Sequence, residues 1–468
     1  MIRVLVSLFC LVSFSSNNWV LAAPSAPVEE PQLIYEEDPS SLVSNIEVVI
    51  RTGSAEEPVG KQGLTNIFSE LMLRGTKKYG RQKFQSTLER LGATLSVSVF
   101  HDQIVFSGEV IKENTFEFMK LLEEALFQPK FDEKELNSLK VEILNQISHI
   151  KNSNNRLGGL AIRQELFKGT PIEKPAIGTL SSVRKLQMPD ILRAYNNVFF
   201  KQNMLFAVAS PFKESQWKTA LKEMWKKFPD GTPKTRRIFE PKVPETPTLI
   251  VVHKPKTSTG VLTFAQKGIT AQDSERYALG IGNFSFGGEP LVSRLFRTIR
   301  GELGWTYAIN SSYGAMGNLS YQPGIYTIVS TPSVEFTTKT LFKTLSSWQD
   351  YVRNGLRKDE LSLAQESSVN SYPFEFESAQ KRLGQRVYSE LYGVPVLTQE
   401  EYEKTLDKVG NKELKKALKD RHTEKGWLIT LVADKDVIAA QLAEEQKGMP
   451  HESQLKISKV INPSDLIQ

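Results

Sequence analysis

Cysteine is almost absent from this chain: Cys10 is the only one in 468 residues, and it lies inside an apolar N-terminal run. Once that run is removed, disulfides, cysteine zinc sites and thiol nucleophiles are all excluded. Histidine is scarce too. His101, His149, His253, His422 and His451 are scattered, and no two lie within four residues of each other. A long hydrophobic run is also missing, because Val4 to Phe14 is too short to span a bilayer, and no membrane span is expected in the mature chain. Lys and Arg exceed Asp and Glu by only 59 to 53. The excess is spread along the chain without a basic run interleaved with aromatics, so no nucleic-acid partner is expected.

What is present begins with an export signature. Arg3 precedes the apolar run, a polar break follows at Ser15 to Asn18, and Val20-Leu21-Ala22 offers small residues for cleavage. Residues 1–22 therefore read as a cleaved secretory signal. A lipoprotein attached through Cys10 is disfavoured, since that cysteine lies too near the start and is immediately preceded by Leu8 and Phe9 rather than by small residues. Export without disulfides fits a bacterial periplasmic protein large enough to need no covalent staples. With 40% apolar and 24% charged residues the composition is that of an ordinary globular chain, and the length favours at least two domains.

The periodicity is that of an α+β protein, with helices laid on mostly antiparallel sheets. Residues 23–37, rich in Pro and Glu, read as an extended lead-in. Strands are expected at 46–52, 94–100 and 103–110, and helices at 64–74, 81–91, 114–127, 133–150 and 188–198. Five prolines between Phe228 and Pro247 bar a helix or central strand, so the inter-domain linker is placed at 231–247, between domains at 30–230 and 248–455. Beyond it the order of elements repeats. Strands are expected at 248–253 and 261–267, helices at 277–284 and 290–303, strands at 306–312 and 324–331, and helices at 336–354, 358–368 and 400–420.

Two segments carry chemistry. In Gly63 to Thr76, GLTNIFSELMLRGT, the apolar residues Leu64, Ile67, Phe68, Leu71 and Met72 form one helical stripe, with Gly75 placed just past the helix end. The flanks Gly63-Leu64 and Arg74-Gly75-Thr76 resemble the insulinase-like (pitrilysin-like) peptidase segment that carries H-x-x-E-H. In that motif two histidines ligate zinc from one helix face and the glutamate activates water. Here those positions read Asn66, Ser69 and Glu70: two ligands and the base are gone. Glu142, seven residues after Glu135 on one helix, stands where the resemblance puts the distal zinc carboxylate. The expectation is a degenerate site holding no metal on this chain.

The second segment, Ser285 to Gly314, has a glycine pair Gly287-Gly288, then Ser293-Arg294-Leu295-Phe296, a helix reaching Arg300, and a strand carrying Tyr307. It resembles the family's second signature. Pro290 suits a first helical position, Leu291, Leu295, Ile299 and Leu303 are spaced as a buried stripe, and Gly304 can stop the helix. Taken alone, Arg294, Arg297 and Arg300 could be one solvated helix face, and Trp305, Tyr307 and Ile309 alternate like a half-buried strand. In the two-chain branch of the family, the resemblance implies that a zinc-bearing partner chain cleaves peptide while the silent chain supplies an Arg and a Tyr, here Arg300 and Tyr307, with Gly287 and Gly288 near the substrate. The expected function is thus a non-catalytic subunit of a heteromeric zinc peptidase. The alternative is a structural or peptide-holding protein of the same fold without proteolysis.

Overall fold

The computed structural model describes residues 29–233, 236–314, 320–451 and 454–468; the secretory signal expected at 1–22 lies outside them. Strands β1 (Leu33–Glu37), β2 (Val43–Ile50), β3 (Ala93–Val99), β4 (Ile104–Ile111) and β5 (Met204–Ser210) form the first sheet, in the order β1-β5-β2-β4-β3. The second is built from β6 (Thr248–His253), β7 (Val261–Lys267), β8 (Thr306–Ser312), β9 (Ile325–Pro332), β10 (Leu428–Ala433) and β11 (Ile457–Ile461), ordered β11-β6-β10-β7-β9-β8. Without β11 the two orders are the same, strand for strand. Each sheet has a parallel pair at the matching place, β1 with β5 and β6 with β10; the strands beyond β5 and β10 are antiparallel, and β11 adds a second parallel pair on the outer side of β6. The repeat seen as element order is a repeat of topology.

The strand sequences explain their places. MLFAVAS in β5 and LITLVA in β10 are buried at every residue, as a strand covered on both faces requires. Edge strand β3 instead alternates, with Leu95 and Val97 half-buried and Thr94, Ser96 and Ser98 exposed. The lead-in expected at 23–37 is corrected by β1: Leu33 to Glu37 pair in register with Phe206 to Ser210, and Ile34 and Tyr35 are buried. Pro31 lies just outside that pairing, which is why the proline-rich composition hid it.

The two halves cover each other. Helix Asn154–Leu166 leaves the first half to lie on β7 and β10 of the second sheet. Its backbone comes close: Thr430 donates from Oγ1 to the Gly158 carbonyl at 3.2 Å, and a Cβ on Gly158 would stand 3.0 Å from Thr263 Oγ1. Reciprocally, helix Ala379–Tyr392 lies on β1 and β5, packing Leu383, Val387 and Leu391 against Ile34, Leu205 and Ala207. At about 1.5–3 kcal/mol for each large apolar side chain fully buried, this exchange ties the halves together. The segment between them, 226–247, contains no helix or strand among its described residues and is pinned to both sides. Lys242 N–H donates to the Leu166 carbonyl at 2.7 Å, and Phe239 N–H donates to Gln322 Oε1 at 2.8 Å.

The helix expected at 400–420 is two helices, Gln399–Asp407 and Asn411–Arg421, broken at Val409-Gly410, where the Gly410 N–H donates to Glu413. The second leads to His422, which is buried among Tyr313, Tyr326 and Trp348. Its Nε2 is 2.7 Å from the Tyr313 hydroxyl and its Nδ1 has no partner. Burial, with Arg421 nearby, pulls its pKa down to about 3. Below about pH 6.5 the unfolded chain takes up a proton that the native site refuses, so His422 costs stability progressively between pH 6.5 and 3. In urea unfolding, His422→Gln is expected to gain on the parent by about 1.4 kcal/mol per pH unit between pH 6 and 4. A difference independent of pH would mean that His422 titrates alike in both states.

Candidate functional site

Helix Leu64–Met72 buries its apolar stripe as expected: Leu64, Ile67, Phe68, Leu71 and Met72 are all in the core. It has no capping side chain of its own. Glu57, which the sequence gave no reason to notice, folds over its start and accepts from the N–H groups of Gly63 at 3.0 Å and Thr65 at 2.7 Å. Burial pushes the Glu57 carboxyl up to about 7. Gly75 corrects its expected place: the helix ends at Met72 with Leu73 as cap, and Gly75, at φ +124°, bridges to Gly80 beyond it.

Asn66 and Glu70 project from one face of this helix, and Asn66 Nδ2 donates to Glu70 Oε1 at 3.0 Å. Burial raises the Glu70 pKa. Ser69, at the position of the family's catalytic glutamate, is sealed in the core with an unpartnered hydroxyl. A cation is nevertheless present. Arg74 grips Glu142 with both guanidinium ends, NH1 to Oε1 at 3.0 Å, and lies 3.9 Å from Glu135, which Arg81 also meets at 3.0 Å. The hydrogen bond from Arg74 holds the Glu142 carboxyl below its usual range. The carboxylate that the resemblance assigns to zinc is thus occupied by an arginine. With Asn66 and Glu70 in place of histidines, the residues present do not fit a zinc ion. Among the described residues no three His, Cys, Asp or Glu side chains are grouped as metal ligands.

The second segment departs from its expected outline. Phe284–Gly288 is a wide π-helical turn, and the helix expected at 290–303 begins only at Arg294, running as a π-helix from Phe296 to Glu302. Pro290 is not its first residue: Leu291 follows in the left-handed region at φ +71° and is exposed, as is Leu303, so only Leu295 and Ile299 of the expected stripe are buried. Gly287 and Gly288 are needed for packing. A Cβ on Gly287 would stand 2.6 Å from Ser311 Oγ, and one on Gly288 2.5 Å from Asn283 Nδ2.

Nor do the three arginines share a face. Arg294 turns inward to Glu360, which is 2% exposed, bonding it at 2.7 and 3.2 Å and donating to the Gly355 carbonyl at 2.9 Å. Arg300 instead lies over Phe296 and Tyr307, with the guanidinium carbon 4.7 and 5.2 Å from the two ring centroids. Tyr307 corrects the expected alternation. The register of β8 against β9 shifts between Thr306 and Ile309, so that both Tyr307 and Ala308 face outward while Thr306 and Ile309 are buried. Thr306 Oγ1, donating to the Ala308 carbonyl at 2.8 Å, holds the irregularity, and Tyr307 is 80% exposed. Bulges of this kind re-aim side chains at functional sites, and π-helical turns occur there often. Among the described residues, no hydrogen bond, ion pair or ring contact joins the set around Asn66, Glu70 and Glu142 to Arg300 and Tyr307.

Comparison with known proteins agrees with this arrangement of two repeated halves, one carrying an altered zinc helix. The sequence model of insulinase (peptidase family M16) matches residues 32–180, and that of the peptidase M16 inactive domain matches residues 185–368. The chain belongs to the insulinase family of peptidases, as a member without the family's zinc motif. It is 24% identical over 395 residues to a Helicobacter pylori protein named non-peptidase homolog YmxG, covering 84% of this chain and 89% of that one. It is 19% identical over 250 residues to a probable mitochondrial-processing peptidase subunit beta of Arabidopsis thaliana, covering 53% and 45%. In fold it is similar to the crystal structure of a peptidase M16 inactive domain from Pseudomonas fluorescens, with TM-score 0.78, 19% identity, and 89% and 98% of the two chains covered. A protease from Helicobacter pylori superposes with TM-score 0.76 at 13% identity, covering 87% and 98%. No helix among the described residues is long and apolar enough to cross a membrane.

Proposed function

We propose that this chain is the non-catalytic subunit of a two-chain peptidase, exported to the periplasm, in which a zinc-bearing partner chain hydrolyses peptides while Arg300 and Tyr307 hold the substrate. The observation that carries the reading is Tyr307 itself. A strand aromatic normally buries its ring, yet here a bulge turns it into solvent and Arg300 lies against it. Arg300 offers planar donors to a peptide carbonyl or carboxylate, and the Tyr307 hydroxyl can donate to an oxyanion forming at the scissile carbonyl. Neither role requires a metal on this chain. A relative named as a subunit of the mitochondrial-processing peptidase supports assembly with a second chain.

The test is co-purification with a similar chain that has an intact H-x-x-E-H and comes from the same source, followed by peptide cleavage. Arg300→Ala and Tyr307→Phe in the assembled pair are each expected to lower kcat/KM by about ten-fold or more, the order of losing one oxyanion donor. Full activity in both variants would favour a structural or peptide-holding role instead.

A further inference from the structure

Between the two halves, lined by neither the Leu64–Met72 helix nor Arg300 and Tyr307, lies a cavity of about 260 Å³. The first half contributes the turn 99–103 and the end of helix Asn154–Leu166, and the second contributes Ile269, Tyr313, Gly324 and Tyr392. Most of the wall is apolar, with Phe100, Phe167, Ile172 and Ile269 prominent. Two polar groups on it stand out, a cation without a carboxylate partner and a carboxamide oxygen without a donor.

The first is Arg163. Burial works strongly against its charge, yet no carboxylate lies within 4 Å of its guanidinium among the described residues. Its hydrogen bonds go to His101 Nε2 and, at 3.5 Å, to the Ile172 carbonyl. His101 cannot serve as a counter-ion. Its Nδ1 is engaged with Ser54 Oγ at 2.9 Å, and burial together with Arg163 pulls its pKa down to about 3, leaving it neutral. Asp102 is the one carboxylate on the wall, but it is bound to the Tyr392 hydroxyl at 2.9 Å, and burial raises its pKa. Buried charges in proteins are as a rule paired.

The second is Gln103, whose Oε1 is sealed from solvent and has no hydrogen-bond partner. Such an acceptor is uncommon in a native protein and calls for a donor.

We propose that this cavity is a binding site for a small apolar carboxylic acid that also carries an N–H donor, the chemistry of an N-acylated apolar amino acid. The carboxylate pairs with Arg163, the N–H meets Gln103 Oε1 as the carboxamide turns into the cavity, and the side chain packs on Phe100, Phe167 and Ile269. Because the ligand touches both halves, it locks them together. A peptide ending in an apolar residue presents the same groups, and ligand length tells the two sources apart.

The experiment measures thermal shift and calorimetric titration of the full chain with N-acetyl-leucine. Its amide removes the charge, 4-methylpentanoate removes the N–H, and acetyl-Ala-Ala-Leu presents a peptide end. N-acetyl-leucine is expected to bind saturably and raise the melting temperature, with the amide and the pentanoate each weaker by about ten-fold. Stronger binding of the tripeptide assigns the site to peptide ends, and weaker binding to free amino-acid derivatives. Arg163→Gln should abolish binding. Gln103→Leu, which removes the orphaned polar group and so does not threaten folding, should bind N-acetyl-leucine and 4-methylpentanoate alike. No saturable binding by the parent, equal binding of acid and amide, or an unchanged preference in Gln103→Leu would overturn the proposal.

Discussion

Glu360→Ala is expected to destabilise the protein by about 3–5 kcal/mol, the cost of leaving a buried cation without its partner. The Glu360 carboxylate accepts from Arg294 at two positions, from Arg357 through both the guanidinium at 3.0 Å and the backbone N–H at 2.9 Å, and is approached by Arg297 at 3.4 Å. Burial alone would raise its pKa, but the bonds from Arg294 and Arg357 outweigh that and hold the carboxyl below its usual range. It is therefore ionised in the native state, and its stabilisation is present above the unfolded carboxylate pKa and lost as pH falls through the lower native value. Arg294 itself is 12% exposed, and without Glu360 it keeps the solvent-facing Asp350, the Gly355 carbonyl and the Tyr351 ring, none of which is a buried anion. The melting temperature should fall by about 3–5 degrees, the loss divided by an unfolding entropy of about 1 kcal/mol/K for a chain of this size. Replacing both partners, Arg294→Met with Glu360→Leu, should recover part of the loss, since matched apolar groups replace a buried pair better than one orphaned charge does. A melting temperature unchanged in Glu360→Ala would show that the network is neutral to folding.

The second large effect is a gain. Asn66 and Glu70 already share a helix face four residues apart, the spacing at which two histidines ligate zinc, and Glu142 is near enough to be gripped by Arg74 of the same segment. Asn66→His with Glu70→His is expected to bind zinc weakly, because Arg74 competes for Glu142. Adding Arg74→Leu should raise the metal content of the dialysed protein to about one ion per chain. Ser69 needs no change for this, since metal binding and the lost base are separate deficits. If the triple variant stays free of zinc, Glu142 does not occupy the distal ligand position.

Much of this was legible in the sequence because it depends on local chemistry. The Leu64 to Met72 stripe, the altered residues Asn66, Ser69 and Glu70, and the element order of the second half were all readable. What was not legible depends on contacts between distant parts of the chain. Helix Asn154–Leu166 has no clean amphipathic stripe, because Gly158 and Gly159 interrupt it; Gly158 serves close approach to the opposite sheet, as its contact with Thr263 shows, whereas Gly159 is exposed. Fully buried β5 gives no alternation to detect. Around Arg300 the reading failed for a different reason. A π-helix changes the period that the Leu291, Leu295, Ile299, Leu303 stripe assumed, and the β8 bulge reverses the alternation of Tyr307. These irregularities fall within the candidate site, where local rules are most often broken.

The most direct test of the central claim is zinc content and peptide cleavage of the purified chain, alone and with a zinc-bearing partner chain from the same source. The chain alone should contain no stoichiometric zinc and cleave nothing, and the pair should cleave peptide with all zinc on the partner. Stoichiometric zinc on the isolated chain, accompanied by cleavage, would contradict it.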